Sequence, residues 1–383
     1  MTMKRIPVTR PYMDEAEVEA AAQAIRSGWI AQGPKVAEFE AACAARVGAR
    51  HAVAVTNCTS ALHLALVCLG IGAGDDVLVP SLSFIASANA IRHAGARPVF
   101  VDIDPRTYNL DSDLLARTLT PRTRAIMIVD QIGLPADLDP ILDFAGRRGL
   151  AVVEDAAPAL GAIYRGRAIG SISPATCFSF HPRKSISTGE GGLIATNDAE
   201  LADRARRLRS HGASISDLAR HKADMVVTED YVEVGYNYRM TDIQAAIGIE
   251  QLKKLDFILE RRRQLASRYA ALLSDVVGVT PPLVPEYAEH TFQSYAIRVD
   301  PAVASRDGVM AAMLRRGVAT RRGVMAIHES AAYARTVEGS VSLPITEAAT
   351  RQTLLLPIYT DMADEDQDYV AGALVESMSE AKA

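Results

Sequence analysis

The sequence has few cysteines, few aromatic residues and no long apolar run. Four cysteines in 383 residues, none with C-x-x-C spacing, cannot form a disulfide framework, so we interpret them as small buried residues. No segment keeps about 18 uncharged apolar residues in a row, and no apolar stretch follows the charged N-terminus. We therefore expect a soluble, cytoplasmic protein with no membrane partner.

The sequence also lacks an excess of positive charge and any clustered histidines. Its 46 acidic and 41 basic side chains leave a net charge of -5, which gives no polycationic surface for a phosphate backbone. The eight histidines are scattered and no H-E-x-x-H occurs. We expect neither nucleic-acid binding nor a metal site.

The chain is long enough for two or three domains, and its patterning changes once. Apolar β-branched runs alternate with helical patterns and predict strands at 51–55, 76–80, 96–103, 124–130, 150–155, 175–180 and 191–196. A long helical pattern, which we interpret as one connecting helix, follows from 241 to 273, and short strands and helices come after it. These patterns predict an α/β domain over 1–255, with a mainly parallel sheet between helices, and a smaller α+β domain over 256–383.

Polar residues follow two of the predicted strands, at the sheet edge where open parallel sheets bind ligands. Thr56 to Ser60 separate the first strand from a helix, and the free N–H groups of such a helix start favour an anion. Taken alone, this segment is better explained as an ordinary N-cap. Glu154 and Asp155 end a buried strand. A buried carboxylate needs a cationic or donor partner, such as a pyridinium nitrogen, or it caps the next turn.

A lysine lies in a similar position in the segment SFHPRKSISTGEGG. Lys184 follows a strand and precedes a glycine-rich turn, where its amine can be partly desolvated and its pKa lowered; the alternative is a surface lysine. The turn is not a nucleotide phosphate loop, because no G-K-[ST] follows it. The segment GYNYRMTDIQAAIG (235–248) comes after a polar stretch of about 25 residues (210–234), which is typical of a functional or interfacial loop.

These segments together resemble the DegT/DnrJ/EryC1/StrS family of sugar aminotransferases, which depend on pyridoxal 5′-phosphate (PLP) and have fold type I. The resemblance runs nearly end to end, from SGWIAQGPKVAEFE (27–40) through TNCTSALHLAL, PSLSFIASANAI and VVEDAA to LPIYTDM. The lysine segment and GYNYRMTD are its most specific parts.

The resemblance implies a role for each candidate residue. Lys184 would bind the cofactor aldehyde as a Schiff base, and Asp155 would pair with the pyridine nitrogen. The phosphate would contact Thr59, Ser60 and Ser179. The ring of Phe84 would stack on the cofactor, and Asn237 would reach the phosphate of the neighbouring subunit in a homodimer with shared active sites.

The resemblance also implies the reaction. Glutamate or glutamine would convert PLP to pyridoxamine phosphate, which would then aminate a nucleotide-linked keto-deoxysugar or, in aminocyclitol pathways, a keto-inositol. A different fold type I reaction, such as elimination, and a regulatory protein of the same fold are the alternatives. Lys184 argues against the dehydratase branch of the family, which has histidine in its place.

Two residues depart from the family pattern. Asp130 stands where many relatives have histidine, and Pro158 stands where many have a polar side chain. Four residues are candidates for contact with the acceptor substrate, namely Trp29, Gln32, Asp130 and His328.

Overall fold

The computed structural model describes residues 4–215, 220, 228–335 and 341–382, so part of the predicted polar stretch, 216–219 and 221–227, lies outside the described residues. The helices are α1 Glu15–Arg26, α2 Pro34–Val47, α3 Cys58–Cys68, α4 Ala86–His93, α5 Leu115–Thr118, α6 Leu138–Arg148, α7 Ala199–Leu208, α8 Asp242–Lys253, α9 Leu255–Leu272, α10 Arg306–Arg315, α11 Pro344–Gln352 and α12 Asp364–Glu380. The strands are β1 His51–Val55, β2 Asp76–Pro80, β3 Arg97–Val101, β4 Thr123–Val129, β5 Ala151–Asp155, β6 Ile163–Tyr164, β7 Arg167–Ala168, β8 Ala175–Ser179, β9 Gly192–Thr196, β10 Val279–Thr280, β11 Ala288–Glu289, β12 Tyr295–Val299, β13 Arg321–Arg322 and β14 Thr353–Leu356.

A seven-stranded sheet with the order β1-β9-β8-β5-β4-β2-β3 forms the centre of the molecule. Its pairs from β8 through β3 are parallel, and β9 runs antiparallel to β1 and β8. The seven apolar runs of the sequence form these seven strands, which confirms the α/β fold class. Among the described residues, no helix is long and apolar enough to cross a bilayer.

Successive side chains of each strand point to opposite faces of the central sheet, so the core has two layers. Val153 and Cys177 face a cluster that includes α3, α4 and α7, whereas Val152 and Phe178 face a cluster that includes α2 and α6. Asp155 is two residues beyond Val153 and therefore shares the α3/α4 face.

A four-stranded sheet with the order β10-β12-β14-β13 lies in the C-terminal part of the chain. Side chains of α9, α10 and α12 pack with it in a third apolar cluster, which Ile6 of the N-terminal segment joins. The division of the chain into domains at residue 255 stays a prediction.

The long helical pattern after residue 240 forms two helices, so the prediction of one continuous connecting helix is wrong. Helices α8 and α9 meet at Lys254, whose N–H donates to the carbonyl of Gln251, three residues back. This tighter turn interrupts the regular four-residue spacing of the helix.

The glycine-rich turn brings the chain close to the head of α3. A Cβ at Gly192, the first residue of β9, would lie 2.3 Å from the carbonyl carbon of Asn57 and 2.6 Å from the nitrogen of Cys58. Only glycine allows these two backbones to approach this closely.

We predict that Gly192→Ala destabilises the protein by about 1–3 kcal/mol, because the new methyl group overlaps backbone that cannot rotate away. The matched control is Gly372→Ala in α12, where a Cβ meets nothing within 4 Å and helix propensity favours alanine. Urea denaturation of both variants measures the effect. Equal midpoints for Gly192→Ala and the wild type would contradict the assigned contact.

Candidate active site

The head of α3 presents an anion-binding arrangement. Asn57 caps the helix, its side-chain oxygen accepting from the N–H of Ser60 at 2.9 Å, and the Ser60 hydroxyl lies 3.2 Å from that of Thr56. In the described part of the chain, the N–H groups of Cys58 and Thr59 donate no hydrogen bond. Two free donors and a hydroxyl at a helix N-terminus suit a phosphate group.

Asp155, the last residue of β5, is a buried carboxylate held by two donors. The hydroxyl of Ser87 on α4 donates to it at 2.7 Å and the N–H of Ala157 at 3.2 Å. The Ser87 hydroxyl is itself 2.7 Å from that of Ser83. Burial raises the pKa of Asp155, and the Ser87 hydroxyl and the Lys184 ammonium oppose that rise. A cation beside this carboxylate would therefore be stabilised strongly.

Lys184 lies in the turn after β8, where its N–H donates to the carbonyl of His181 at 2.8 Å. Its side chain is half-buried, and its Nζ forms neither a hydrogen bond nor an ion pair with any residue that the structure describes. Burial lowers its pKa, while the neighbouring Cys58 and Asp155 oppose that shift. The structure thus brings the predicted lysine, the predicted carboxylate and the head of α3 together.

Two further candidates differ in exposure. The Phe84 side chain follows β2 and is 69% exposed, which leaves an aromatic face open for stacking. Ser179 ends β8, is 7% exposed, and its hydroxyl accepts a long 3.4 Å hydrogen bond from the N–H of His181.

The segment that contains Asn237 runs beside β1 and the head of α3. The N–H of Thr56 donates to the carbonyl of Tyr238 at 2.9 Å, and Arg239 forms an isolated antiparallel β-bridge with Val55. Asn237 itself is exposed. Its side chain is therefore placed at the molecular surface next to the anion-binding arrangement.

The four substrate candidates occupy different environments. Trp29 and Gln32 are half-buried in the loop before α2. His328 is buried, with Nδ1 2.7 Å from the Ser81 hydroxyl and Nε2 3.6 Å from a Glu347 oxygen. Asp130 is 0% exposed, and its N–H donates to the carbonyl of Asp155 at 3.1 Å. Its side chain lies on the face of the sheet opposite the Asp155 side chain, so the structure does not bring the two carboxyl groups together on one face.

The sequence alone did not identify Asp242, the residue that holds the loop before α2 in place. Asp242, the first residue of α8, is 1% exposed and accepts from the N–H groups of Gly33, Lys35 and Val36 at 2.8, 3.0 and 2.9 Å. It thereby caps α2 from a distance of more than 200 positions in the chain. The capping box formed by Thr241 and Gln244 is readable in the sequence, but the partner of Asp242 is not.

We predict that Asp242→Ala destabilises the protein by about 3 kcal/mol and increases hydrogen exchange at residues 33–36, because three N–H groups lose a charged acceptor. Asp256→Ala is the matched control, since the Asp256 side chain is 84% exposed and pairs with Arg46 at the surface. Mass-spectrometric hydrogen exchange of both variants measures the change. Hydrogen exchange at residues 33–36 of Asp242→Ala equal to that of the wild type would contradict the capping role of Asp242.

Comparison with known proteins assigns the chain to a family. The model of the DegT/DnrJ/EryC1/StrS aminotransferase family matches residues 11–375. GDP-perosamine synthase of Caulobacter vibrioides is 41% identical over 375 residues, covering 97% of this chain and 98% of that protein. A UDP-4-amino-4-deoxy-L-arabinose–oxoglutarate aminotransferase of Shewanella sediminis is 38% identical over 385 residues, covering 98% and 99%.

The fold is also similar to that of solved proteins. Spr1654 of Streptococcus pneumoniae, in its PMP-form, superimposes with a TM-score of 0.92 at 30% identity, covering 98% of this chain and 99% of that one. The chain therefore belongs to the DegT/DnrJ/EryC1/StrS aminotransferase family and is a PLP-dependent aminotransferase with the fold expected for type I.

Proposed function

We propose that this protein transfers an amino group from glutamate or glutamine to a nucleotide-linked keto-deoxysugar in amino-sugar biosynthesis. The observation that carries the proposal is the unpaired Lys184 amine beside the buried Asp155 carboxylate and the head of α3. Both curated relatives have a nucleotide-linked sugar in their names, and one of those names includes oxoglutarate, the keto acid of glutamate. These names favour a sugar nucleotide over a keto-inositol as the acceptor.

The residues of the site fit PLP. The cofactor has a phosphate, a basic ring nitrogen, a flat ring and an aldehyde, and it supplies an electron sink when it is bound. The free N–H groups of Cys58 and Thr59, with the Ser60 hydroxyl, would hold the phosphate, and Ser179 would add a further hydroxyl. The open ring of Phe84 would stack on the flat ring.

Asp155 and Lys184 would be the residues of this chain that act directly on the cofactor and the substrate. Asp155 would hold the ring nitrogen in its protonated form, since a buried carboxylate gains most from a cationic partner. Lys184 would bind the aldehyde. Its amine, once displaced by the amino donor, would take the Cα proton of the substrate as a general base and would return it as a general acid. A lowered pKa favours this role, because a larger fraction of the amine is unprotonated near neutral pH.

We further propose a homodimer in which Asn237 contacts the phosphate bound in the partner subunit. The exposed position of Asn237 next to the head of α3 supports this arrangement, since a side chain that points away from its own subunit is available to another. The loop containing Trp29 and Gln32, together with the region of His328, would then contact the acceptor.

We predict that Lys184→Ala lowers the rate of amino transfer by at least about 100-fold, because the general base is lost. It should also abolish the visible absorption band of the protein loaded with PLP. Lys253→Ala, which removes an exposed lysine paired with Glu250, is the matched control. It should leave the rate of amino transfer and the absorption band unchanged.

Mass spectrometry of the products, from glutamate or glutamine with a panel of nucleotide-linked keto-sugars and keto-inositols, tests the substrate. An aminated nucleotide sugar supports the proposal. An aminated inositol with no aminated sugar nucleotide would contradict it, and so would turnover by elimination without amino transfer.

The shared site predicts complementation between two inactive variants. In a mixed dimer of Lys184→Ala and Asn237→Ala, one of the two sites has both wild-type residues, so random mixing should restore roughly a quarter of the wild-type activity. Mixing each variant with itself is the control. Activity no higher than the average of the two separate variants would contradict sharing between subunits.

A further inference from the structure

Two carboxyl side chains, Asp130 and Glu154, lie together on the face of the central sheet opposite Asp155. Glu154 is in register with Ile128 of β4, and Asp130 comes two residues after Ile128, so both side chains point to the same face. Both residues are 0% exposed. The two carboxyl groups lie within hydrogen-bonding reach of each other.

The hydrogen bonds of this pair leave one oxygen of each carboxyl group without a donor. Asp130 Oδ1 accepts from the N–H of Ala136 at 3.0 Å, and Glu154 Oε2 accepts from the Thr176 hydroxyl at 2.8 Å. The other two oxygens, Asp130 Oδ2 and Glu154 Oε1, accept no hydrogen bond from the described residues, and the buried Ser173 hydroxyl, which also has no partner among them, lies near Glu154. No lysine, arginine or histidine of the described chain forms an ion pair with either residue, so two buried negative charges would face each other uncompensated.

We propose that Asp130 Oδ2 carries a proton and donates a hydrogen bond to Glu154 Oε1, so that the pair holds one negative charge. This hydrogen bond connects the ends of β4 and β5 on the face of the sheet opposite the Asp155 side chain. One proton, taken from solvent on folding, satisfies both of the oxygens that lack a donor. Asp130 also donates its backbone N–H to the carbonyl of Asp155 at 3.1 Å. The pair is therefore a positioning element for the edge that carries Asp155.

The surroundings of the pair favour the protonated form. Burial raises the pKa of Asp130 well above its usual range, and the charges of Glu154 and Asp155 add to the rise. Burial also raises the pKa of Glu154. The nearby Cys177 of β8 is a thiol whose pKa burial raises, so it adds no charge, and Lys184 acts on Asp155 from the opposite face.

The directions of these pKa shifts determine whether the stability of the fold rises or falls with pH. A buried acid with a raised pKa binds its proton more tightly in the folded than in the unfolded chain. The stabilisation is complete below the unfolded pKa of about 4 and is lost as the pH rises through the folded value. Between those two values, the shared proton makes the equilibrium constant for unfolding rise by about tenfold per pH unit.

Asp130→Asn and Glu154→Gln test the proposal because each keeps the shape of the pair and replaces the proton with an amide N–H. In Asp130→Asn, the amide oxygen still accepts from Ala136 and the amide nitrogen donates to Glu154. We expect each variant to release about one proton fewer than the wild type on urea unfolding near pH 7. We also expect each to lose the infrared carbonyl band of a buried protonated carboxyl group.

Asp143→Asn is the control, since the Asp143 side chain is 60% exposed on α6 and pairs with Arg147 at the surface. It should keep both the proton release and the infrared band of the wild type. If Asp130→Asn fails to fold, Glu154→Gln provides the same comparison from the other side of the pair. Proton release and an infrared band equal to those of the wild type in a folded variant would overturn the shared proton.

Discussion

The site depends on one electrostatic constraint, which is that a buried carboxylate and the amine of a half-buried lysine lie near each other without forming an ion pair. Asp155 is fixed by hydrogen bonds from Ser87 and Ala157, and Lys184 is fixed by the turn after β8. The parallel strands β5 and β8 bring both residues to the same edge of the sheet. Because the Asp155 carboxylate has its own hydrogen-bond donors and the Lys184 amine has no partner among the described residues, both groups remain available to a bound cofactor.

Much of this arrangement could be predicted from the sequence. Apolar β-branched runs define the seven strands, and the rule that ligands bind at the carboxyl ends of parallel strands brings Thr59, Asp155 and Lys184 into one region. Family resemblance then gives the roles of Phe84 and Asn237. The strand positions and the grouping at this edge of the sheet are confirmed because they depend on local pattern and on topology, and neither requires the partner of a particular side chain. The roles of Phe84 and Asn237 stay predictions.

The parts that could not be predicted depend on contacts between distant segments. Asp242 caps α2 more than 200 positions away, and nothing in the sequence pairs it with Gly33. The break between α8 and α9 at Lys254 follows from a single tightened turn within a continuous helical pattern. Asp130 was a substrate candidate on resemblance alone, yet the register of β4 turns it to the opposite face, towards Glu154. A sequence shows that a residue is charged, but strand register decides which face receives the charge.

The most direct measurement of the central claim is the identification of the residue to which the cofactor is attached. Borohydride reduction of the protein loaded with PLP, followed by proteolysis and mass spectrometry, locates the attachment point on a single peptide. We predict that the added mass of the reduced cofactor lies on Lys184. Attachment to another lysine, or no attachment in protein that has retained the cofactor, would contradict it.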